Sequence, residues 1–357
     1  MLRLYCKKEG LSMLQSKGIV LHGNKRAEIV VEEAAMPTGR QVLIKTHAVG
    51  LCGSDIALYN GTYEGPKNYP IYFGHEWSGV VEAVGPEVVK VRPGDKVTGD
   101  CSLFCGACEF CALDKNLCKF IEKQGITQDG ASRQYVLQDE KYVYRADPSA
   151  DLDLVALSEP LAVGAHAVRR VSAVRSDLKQ AKVLVLGGGT IGFSCFFALK
   201  YIYGCQRVEL HDLVESRVDK ALRLGAAEPT DVLTSAGDAD SYGGMYSGRG
   251  YDIIFESTGS PAAFRQAVDL LRPLGIVVAL GFIPSVEFSL KTITLKAAQV
   301  MGSIGGTGEF ETVLDFIVRH PDVASQIISH RIPFEDYDRA FAAASDRQNA
   351  MKVLIEF

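Results

Sequence analysis

At 357 residues the chain is longer than one ordinary hydrophobic core organises, so two domains are expected. Hydrophobic residues make up 47% of it and charged residues 23%, the balance of a soluble globular protein. The formal charge of −5 gives no broad electrostatic reason to bind nucleic acid or an acidic membrane, so neither is expected as a partner.

Residues 1–17 carry Lys7 and Lys8 without a following apolar core, so they do not read as a signal peptide. They form a tail, or an upstream start with Met13 as a second initiator. No apolar run reaches membrane-spanning length, and a cytoplasmic protein is expected. From 18 to 49 the pattern is β: residues 18–22 and 27–31 flank Gly23-Asn24, a hairpin turn signal, and 41–49 alternate. Residues 78–97 hold β-branched runs broken by Gly85-Pro86 and Pro93-Gly94-Asp95, and 134–145 predict two more short strands.

The texture changes near Leu152. Residues 154–171 have helical spacing, with Pro160 expected to end or kink a turn. Strands then alternate with helices: strands 182–186, 207–211, 251–256 and 275–280; helices 190–203, 214–224 and 261–271. Such alternation predicts a parallel sheet with right-handed crossovers. Residues 236–250, rich in Gly, Ser and Asp, predict an exposed loop. The last fifty residues predict helices at 309–319 and 335–345 and a final strand at 351–355.

The strand 182–186 breaks into Gly187-Gly188-Gly189-Thr190-Ile191-Gly192. Gly187 allows the tight turn, Gly189 lets backbone approach a pyrophosphate, and Gly192 permits close helix packing. The following helix N-terminus favours phosphate. The next strand ends at Asp212, twenty residues past Gly192, where an acid binds a ribose 2′-hydroxyl and repels a 2′-phosphate. That favours NAD over NADP. Thr190, Ile191, Arg217, Ser257 and Gly281 are the further candidate cofactor contacts.

Nine cysteines in a reducing compartment point to metal ligation rather than disulfides. Cys105-x2-Cys108-x2-Cys111-x6-Cys118 can close a tetrahedral structural zinc site. An iron–sulfur cluster is the rival, but the bacterial ferredoxin run has a three-residue last gap and then proline. Here the last gap is six and Lys119 follows. Cys101 can substitute for one of the four or stay free. A dispersed second set pairs Cys52-Gly53-Ser54-Asp55 with Gly74-His75-Glu76-Trp77-Ser78-Gly79. A catalytic zinc needs a third ligand and an open position. Glu159 and His166 are the candidates, and spacing does not choose between them.

Together these residues resemble the zinc-dependent medium-chain alcohol dehydrogenase family over nearly the whole chain. The carriers are Cys52-Gly-Ser-Asp, Gly74-His75-Glu76, the four-cysteine lobe, Glu159-Pro160 and the glycine turn, in family order. The resemblance implies an α/β chain, with a GroES-like β-rich catalytic domain (1–164, lobe near 101–119), a Rossmann NAD domain (165–301) and a return to the first (302–357). It implies two zinc ions per chain, one catalytic on Cys52, His75 and Glu159, directly or through water, and one structural on the lobe. Glu76 would be a neighbour of the catalytic ion and Ser54 would pass on the proton. The implied reaction is reversible oxidation of a secondary alcohol on a polyol, aminocyclitol or sugar-type substrate, in a homodimer or homotetramer.

The aminocyclitol branch, the 2-deoxy-scyllo-inosamine dehydrogenases, is similar in its motifs, as are sorbitol- and galactitol-phosphate-type enzymes. Two departures stand out. The last cysteine gap is one residue short, and Ala57-Leu58 replace a relay histidine. The alternatives are a zinc-independent quinone or enone reductase on the same fold and a non-catalytic NAD or zinc sensor.

Overall fold

The protein is described here by a computed structural model covering residues 14–228 and 250–357, with Gly243 and Tyr246 between them. The tail through residue 13 and most of the loop expected at 236–250 lie outside the described residues. The architecture is α/β: a GroES-like β domain joined to a Rossmann-like parallel sheet.

The first hairpin forms, with its turn one residue past the Gly23-Asn24 signal. Strands Gln15–Gly23 and Arg26–Glu33 pair antiparallel, and Asn24 and Lys25 between them have φ of 53° and 58°, the left-handed pair that suits a two-residue hairpin. The alternating strand Gln41–Gly50 is the axis of a seven-stranded sheet. It pairs antiparallel with Glu76–Val84 on one side and with the C-terminal strand Lys352–Glu356 on the other. In that register Gly50 lies opposite both Glu76 and Leu354, so three distant segments end at one place. Trp77, Phe73 and Phe341 fill the core beneath, each large buried side chain contributing roughly 1.5–3 kcal/mol.

The nucleotide-type domain carries a five-stranded parallel sheet among the described residues. Its order is Arg207–His211, Lys182–Leu186, Tyr251–Glu256, Leu271–Ala279, Gln299–Gly302. The chain leaves Lys182–Leu186 to one side and returns on the other, which makes its carboxyl end the topological switch point where ligands of such sheets bind. Phe193, Phe196 and Phe197 of the following helix share one core with Phe255 of that sheet.

Pro160 does not kink the helix expected at 154–171. The segment is two helices, Leu152–Val155 and Ser158–Ser172. Pro160 is the third residue of the second, in the first turn, where a missing N–H costs nothing. The domain limit expected at 164 falls inside this unbroken helix, which packs on the second core, as does Phe310–Arg319. The chain rejoins the first sheet with strand Ile328–Pro333. The helix expected at 190–203 is α-helical over Thr190–Phe197 and finishes in a π-helical turn, Ala198–Ile202. No helix among the described residues is long and apolar enough to cross a membrane.

Candidate active site and metal centres

Cys52 precedes an eight-residue helix, Gly53–Asn60, that the sequence pattern had not announced. Its first turn turns Asp55 inward, fully buried. One carboxylate oxygen accepts from the Cys52 amide at 2.8 Å. The other accepts from the Gly74 amide at 3.4 Å and stands 3.6 Å from His75 Nδ1. Asp55 therefore ties the two dispersed motifs together and orients the imidazole, as carboxylates behind metal-ligating histidines do. Gly74, at φ 86°, is required here: a Cβ would meet Val49 Cγ1 at 2.5 Å.

The result is a donor cluster, half-buried at Cys52 and buried at the other two, in which Cys52 Sγ, a His75 ring nitrogen and a Glu76 carboxylate oxygen all lie within 4.8 Å of one another. Thiolate, imidazole and carboxylate are the donor types a catalytic zinc takes. Burial alone lowers the pKa of His75, yet Asp55 and Cys52 hold it well above its ordinary value. The pocket favours a positive charge, which a metal ion would supply.

Glu76 is engaged from behind by the buried Lys352, which also donates to the Leu51 carbonyl at 3.0 Å. Sequence reasoning missed Lys352; the available signal was a single cation in the otherwise apolar strand 351–355.

Glu159 lies beside this cluster rather than within it. Its carboxylate accepts from the Cys101 thiol at 3.4 Å. Burial pushes its pKa up, Glu76 adds to that, and His75 and Lys123 oppose it. Burial and Glu159 raise Cys101 to about 12, so the thiol stays protonated and donates. His166 points elsewhere. Fully buried, its Nε2 lies 3.2 Å from Asp114 in the cysteine lobe and its Nδ1 contacts Arg169 at 3.0 Å. Ser54, half-buried, sits in the first turn of the Gly53–Asn60 helix.

In the lobe the four sulfurs of Cys105, Cys108, Cys111 and Cys118 lie within 4.8 Å of one another. Three pairs measure 3.9, 3.5 and 3.9 Å. A tetrahedron with metal–sulfur bonds near 2.3 Å has edges of roughly 3.8 Å, so the residues fit a zinc ion. The short final gap is absorbed by a 3-10 turn, Lys115–Leu117; Cys101 is not recruited. Backbone amides aim at the sulfurs. The Lys119 amide is the main cause bringing Cys108 down to about 6, the Ala107 amide lowers Cys105, and burial lifts Cys111 to about 11.

At the switch point the glycine turn has the form its residues predict. Gly187 takes φ 98°, and a Cβ on Gly192 would lie 1.7 Å from the Gly187 carbonyl oxygen. A Cβ on Gly189, which caps helix Thr190–Phe197, would meet nothing within 4 Å. That space is the cradle a pyrophosphate would fill. Asp212 accepts from the Gly188 amide at 2.6 Å and the Val214 amide at 2.7 Å. Arg217 lies 3.4 Å from Asp212 and donates to the Ala350 carbonyl at 3.0 Å. Ser257 Oγ donates to the Leu186 carbonyl at 2.8 Å, and Thr190 Oγ1 to the Met351 carbonyl at 3.0 Å. Those two hydroxyls are thus spent on backbone. Gly281, where a Cβ would meet the Gly259 nitrogen at 2.4 Å, keeps the neighbouring strand ends close, and Ile191 is half-buried in the helix's first turn.

Comparison with known proteins agrees with this geometry. Residues 38–148 match the alcohol dehydrogenase GroES-like domain and residues 190–319 the zinc-binding dehydrogenase family. The chain is 33% identical over 351 residues to the uncharacterized zinc-type alcohol dehydrogenase-like protein YdjJ of Escherichia coli K12, covering 92% of this chain and 95% of that protein. It is 29% identical to a sorbitol dehydrogenase of Halalkalibacterium halodurans, covering 94% and 96%. Among solved structures, a putative zinc-binding dehydrogenase from Sinorhizobium meliloti bound to NADP superposes with a TM-score of 0.84 at 26% identity, covering 96% of this chain and 100% of that one.

Proposed function

The chain belongs to the zinc-type alcohol dehydrogenases, oxidoreductases acting on CH–OH groups, and from that membership we propose that it oxidises a secondary alcohol of a polyol, aminocyclitol or sugar-type substrate to the ketone, reversibly and with NAD. The observation that carries the proposal is the Cys52, His75 and Glu76 cluster with the Glu159 carboxyl beside it. Cys52 and His75 would hold a catalytic zinc, with Glu159 as third ligand directly or through water. The four-cysteine lobe would hold a structural one. Zinc supplies Lewis acidity that lowers an alcohol's pKa, and the nicotinamide supplies the hydride acceptor.

The chain's own residues do the rest. Asp55 fixes the imidazole, and Lys352 holds Glu76 back from the metal. Ser54, beside Cys52, takes the hydroxyl proton and passes it toward solvent. Asp212 accepts from the adenosine ribose hydroxyls, and its charge disfavours a 2′-phosphate. The half-exposed edge strand Gln299–Gly302, with Val300 and Ile304 at the surface, suits pairing with a second copy in a homodimer or homotetramer. A cytoplasmic setting fits thiols kept reduced for metal. A zinc-independent enone reductase needs none of Cys52, His75 and Glu159, so their grouping speaks against it.

The test is reduced-cofactor formation on a panel of polyols, aminocyclitols and sugar phosphates, with NAD and NADP in parallel, before and after zinc chelation. Chelator-sensitive turnover favouring NAD is expected. Unchanged activity after verified zinc removal would overturn the Lewis-acid reading. Silence from zinc-loaded protein across the panel would favour a sensor.

A further inference from the structure

Glu256 has no part in the chemistry above, yet it sits at the switch point of the parallel sheet. It ends strand Tyr251–Glu256, wholly buried, and lies opposite Leu186 on one side and Ala279 on the other. One oxygen of its carboxylate accepts from the Thr258 amide at 2.8 Å and from the Thr258 hydroxyl. That hydroxyl in turn accepts from the Ser260 amide at 2.9 Å, and Ser260 caps helix Pro261–Asp269. The other oxygen lies against Gly281, where a Cβ would meet it at 2.8 Å. The Glu256 carbonyl accepts from the Leu280 and Gly281 amides at 2.9 and 3.2 Å. One residue thus shapes two segments, 257–259 and 280–281.

The first of these segments borders the glycine turn. Ser257 Oγ lies 3.2 Å from the Gly187 carbonyl oxygen, and a Cβ on Gly187 would meet Ser257 Oγ at 2.8 Å. Asp212 ends on the opposite side of strand Lys182–Leu186. A dinucleotide laid from Asp212 across Gly187 and Gly189 continues over the ends of Tyr251–Glu256 and Leu271–Ala279, the second half of such a sheet. There Thr258 is exposed, and Gly259 and Gly281 are half-buried and carry no side chain, so a ribose can come against backbone. The preceding residues Ile253, Ile254 and Phe255 are all buried and apolar. An apolar residue at the strand's end would pack without desolvation cost, whereas a buried carboxylate is costly unless it is hydrogen-bonded. The bonds that hold this one are those that build the turn.

We infer that Glu256 is a positioning residue for the nicotinamide half of the cofactor: by fixing Thr258 and Gly259 against Gly281, it sets the backbone surface on which the nicotinamide ribose rests. Sealed beneath the turn, it touches no cofactor atom itself. This rests on the dehydrogenase reading and deepens it. The adenosine half, at the glycine turn and Asp212, does not depend on it. If Glu256 only stabilised the fold, its loss would weaken the two halves alike.

The experiment uses the zinc-loaded full chain with NADH, which spans both halves, and ADP, which carries only the adenosine and its two phosphates. Affinities by titration calorimetry and the emission of bound NADH are measured on the natural chain, Glu256→Gln, Glu256→Leu and Thr258→Val. Glu256→Leu should weaken NADH by about tenfold or more, shift the emission of the bound nicotinamide, and leave ADP within about threefold. Glu256→Gln keeps a carbonyl oxygen for both Thr258 bonds and should retain near-natural NADH affinity. Thr258→Val removes only an exposed hydroxyl. It should weaken NADH and spare ADP, and it decides the question if Glu256→Leu does not fold. Equal losses of NADH and ADP, unchanged NADH affinity in Thr258→Val, or a Glu256→Gln as weak as Glu256→Leu would overturn the inference. The two readings fail differently. A natural chain that binds neither ligand would reject the dinucleotide reading itself, whereas one that binds both, in a ratio indifferent to Glu256, would reject the positioning role alone.

Discussion

Replacing Lys352 by methionine tests whether the active centre is braced by one buried ion pair. Lys352 and Glu76 have side chains only 3% and 2% exposed, and the ammonium also satisfies the Leu51 carbonyl at 3.0 Å. Methionine nearly matches lysine in length, so little cavity forms. What remains is an unpaired carboxylate in a dry site. Removing one partner of such a pair costs about 3–5 kcal/mol, whereas replacing both by apolar side chains of similar volume is nearly neutral. Lys352→Met should therefore lose about 3–5 kcal/mol, and Glu76→Met/Lys352→Met should recover most of that. The assay is denaturant unfolding followed by tryptophan fluorescence. Trp77 is the chain's single tryptophan; it is fully buried next to Glu76 and donates to Gln124 at 3.0 Å, so its signal reports this domain alone. Zinc-loaded Lys352→Met should suffer less than chelated protein, because the freed carboxylate can turn to the ion. A loss below about 1 kcal/mol in Lys352→Met, or a double variant no better than the single one, would refute the argument.

Three other outcomes follow from the same geometry. Cys108→Ser should lower bound zinc by one ion per chain and shift thermal unfolding downward, while the ion at Cys52 and His75 is still bound at equilibrium though released faster; elemental analysis with a melting curve checks the first two. Gly192→Ala places a methyl 1.7 Å from the Gly187 carbonyl oxygen, so the turn must open and NADH affinity, read by cofactor fluorescence, should fall at least tenfold, about 1.4 kcal/mol. His47 accepts its raised pKa chiefly from its hydrogen bond to Asp153 at 2.9 Å. Because the folded value lies above the ordinary 6.5, its stabilising contribution is complete below that pH and is lost as pH rises through the raised value. Denaturation midpoints measured from about pH 6 to about pH 8 should show this decline in the natural chain and a flatter profile in His47→Gln.

The parts of this protein legible in its sequence are those set by local chemistry. The glycine turn, the hairpin and the four-cysteine lobe depend on spacings of a few residues; the first and last form where expected, and the hairpin turn falls on Asn24-Lys25, one residue past its signal. The helix after Cys52 was not legible, because Gly53–Asn60 has little amphipathic pattern and is held by Asp55 reaching back to the Cys52 amide. Lys352 was not legible either. Its role depends on strand register, Gly50 facing both Glu76 and Leu354. No short-range pattern encodes such pairings.

The undecided third ligand has a more particular cause. Glu159 and His166 are seven residues apart on one helix, Ser158–Ser172, so they share a face and stand about 10.5 Å apart along the axis. Spacing therefore cannot separate them, since both point toward the catalytic domain. What separates them is what each meets. Glu159, in the first turn, reaches the Cys101 thiol beside the catalytic cluster. Two turns on, His166 reaches Asp114, whose neighbour Asn116 clasps the Thr307 amide at 3.0 Å. One helix face thus touches both candidate metal centres, and Phe193 and Val168 belong to the same core behind it. A change at the lobe has a rigid route to the Glu159 carboxyl. Emptying the lobe by Cys108→Ser should then weaken metal retention at the catalytic cluster modestly rather than abolish it. An unchanged off-rate of the catalytic ion in that variant would mean the helix holds its place without the lobe.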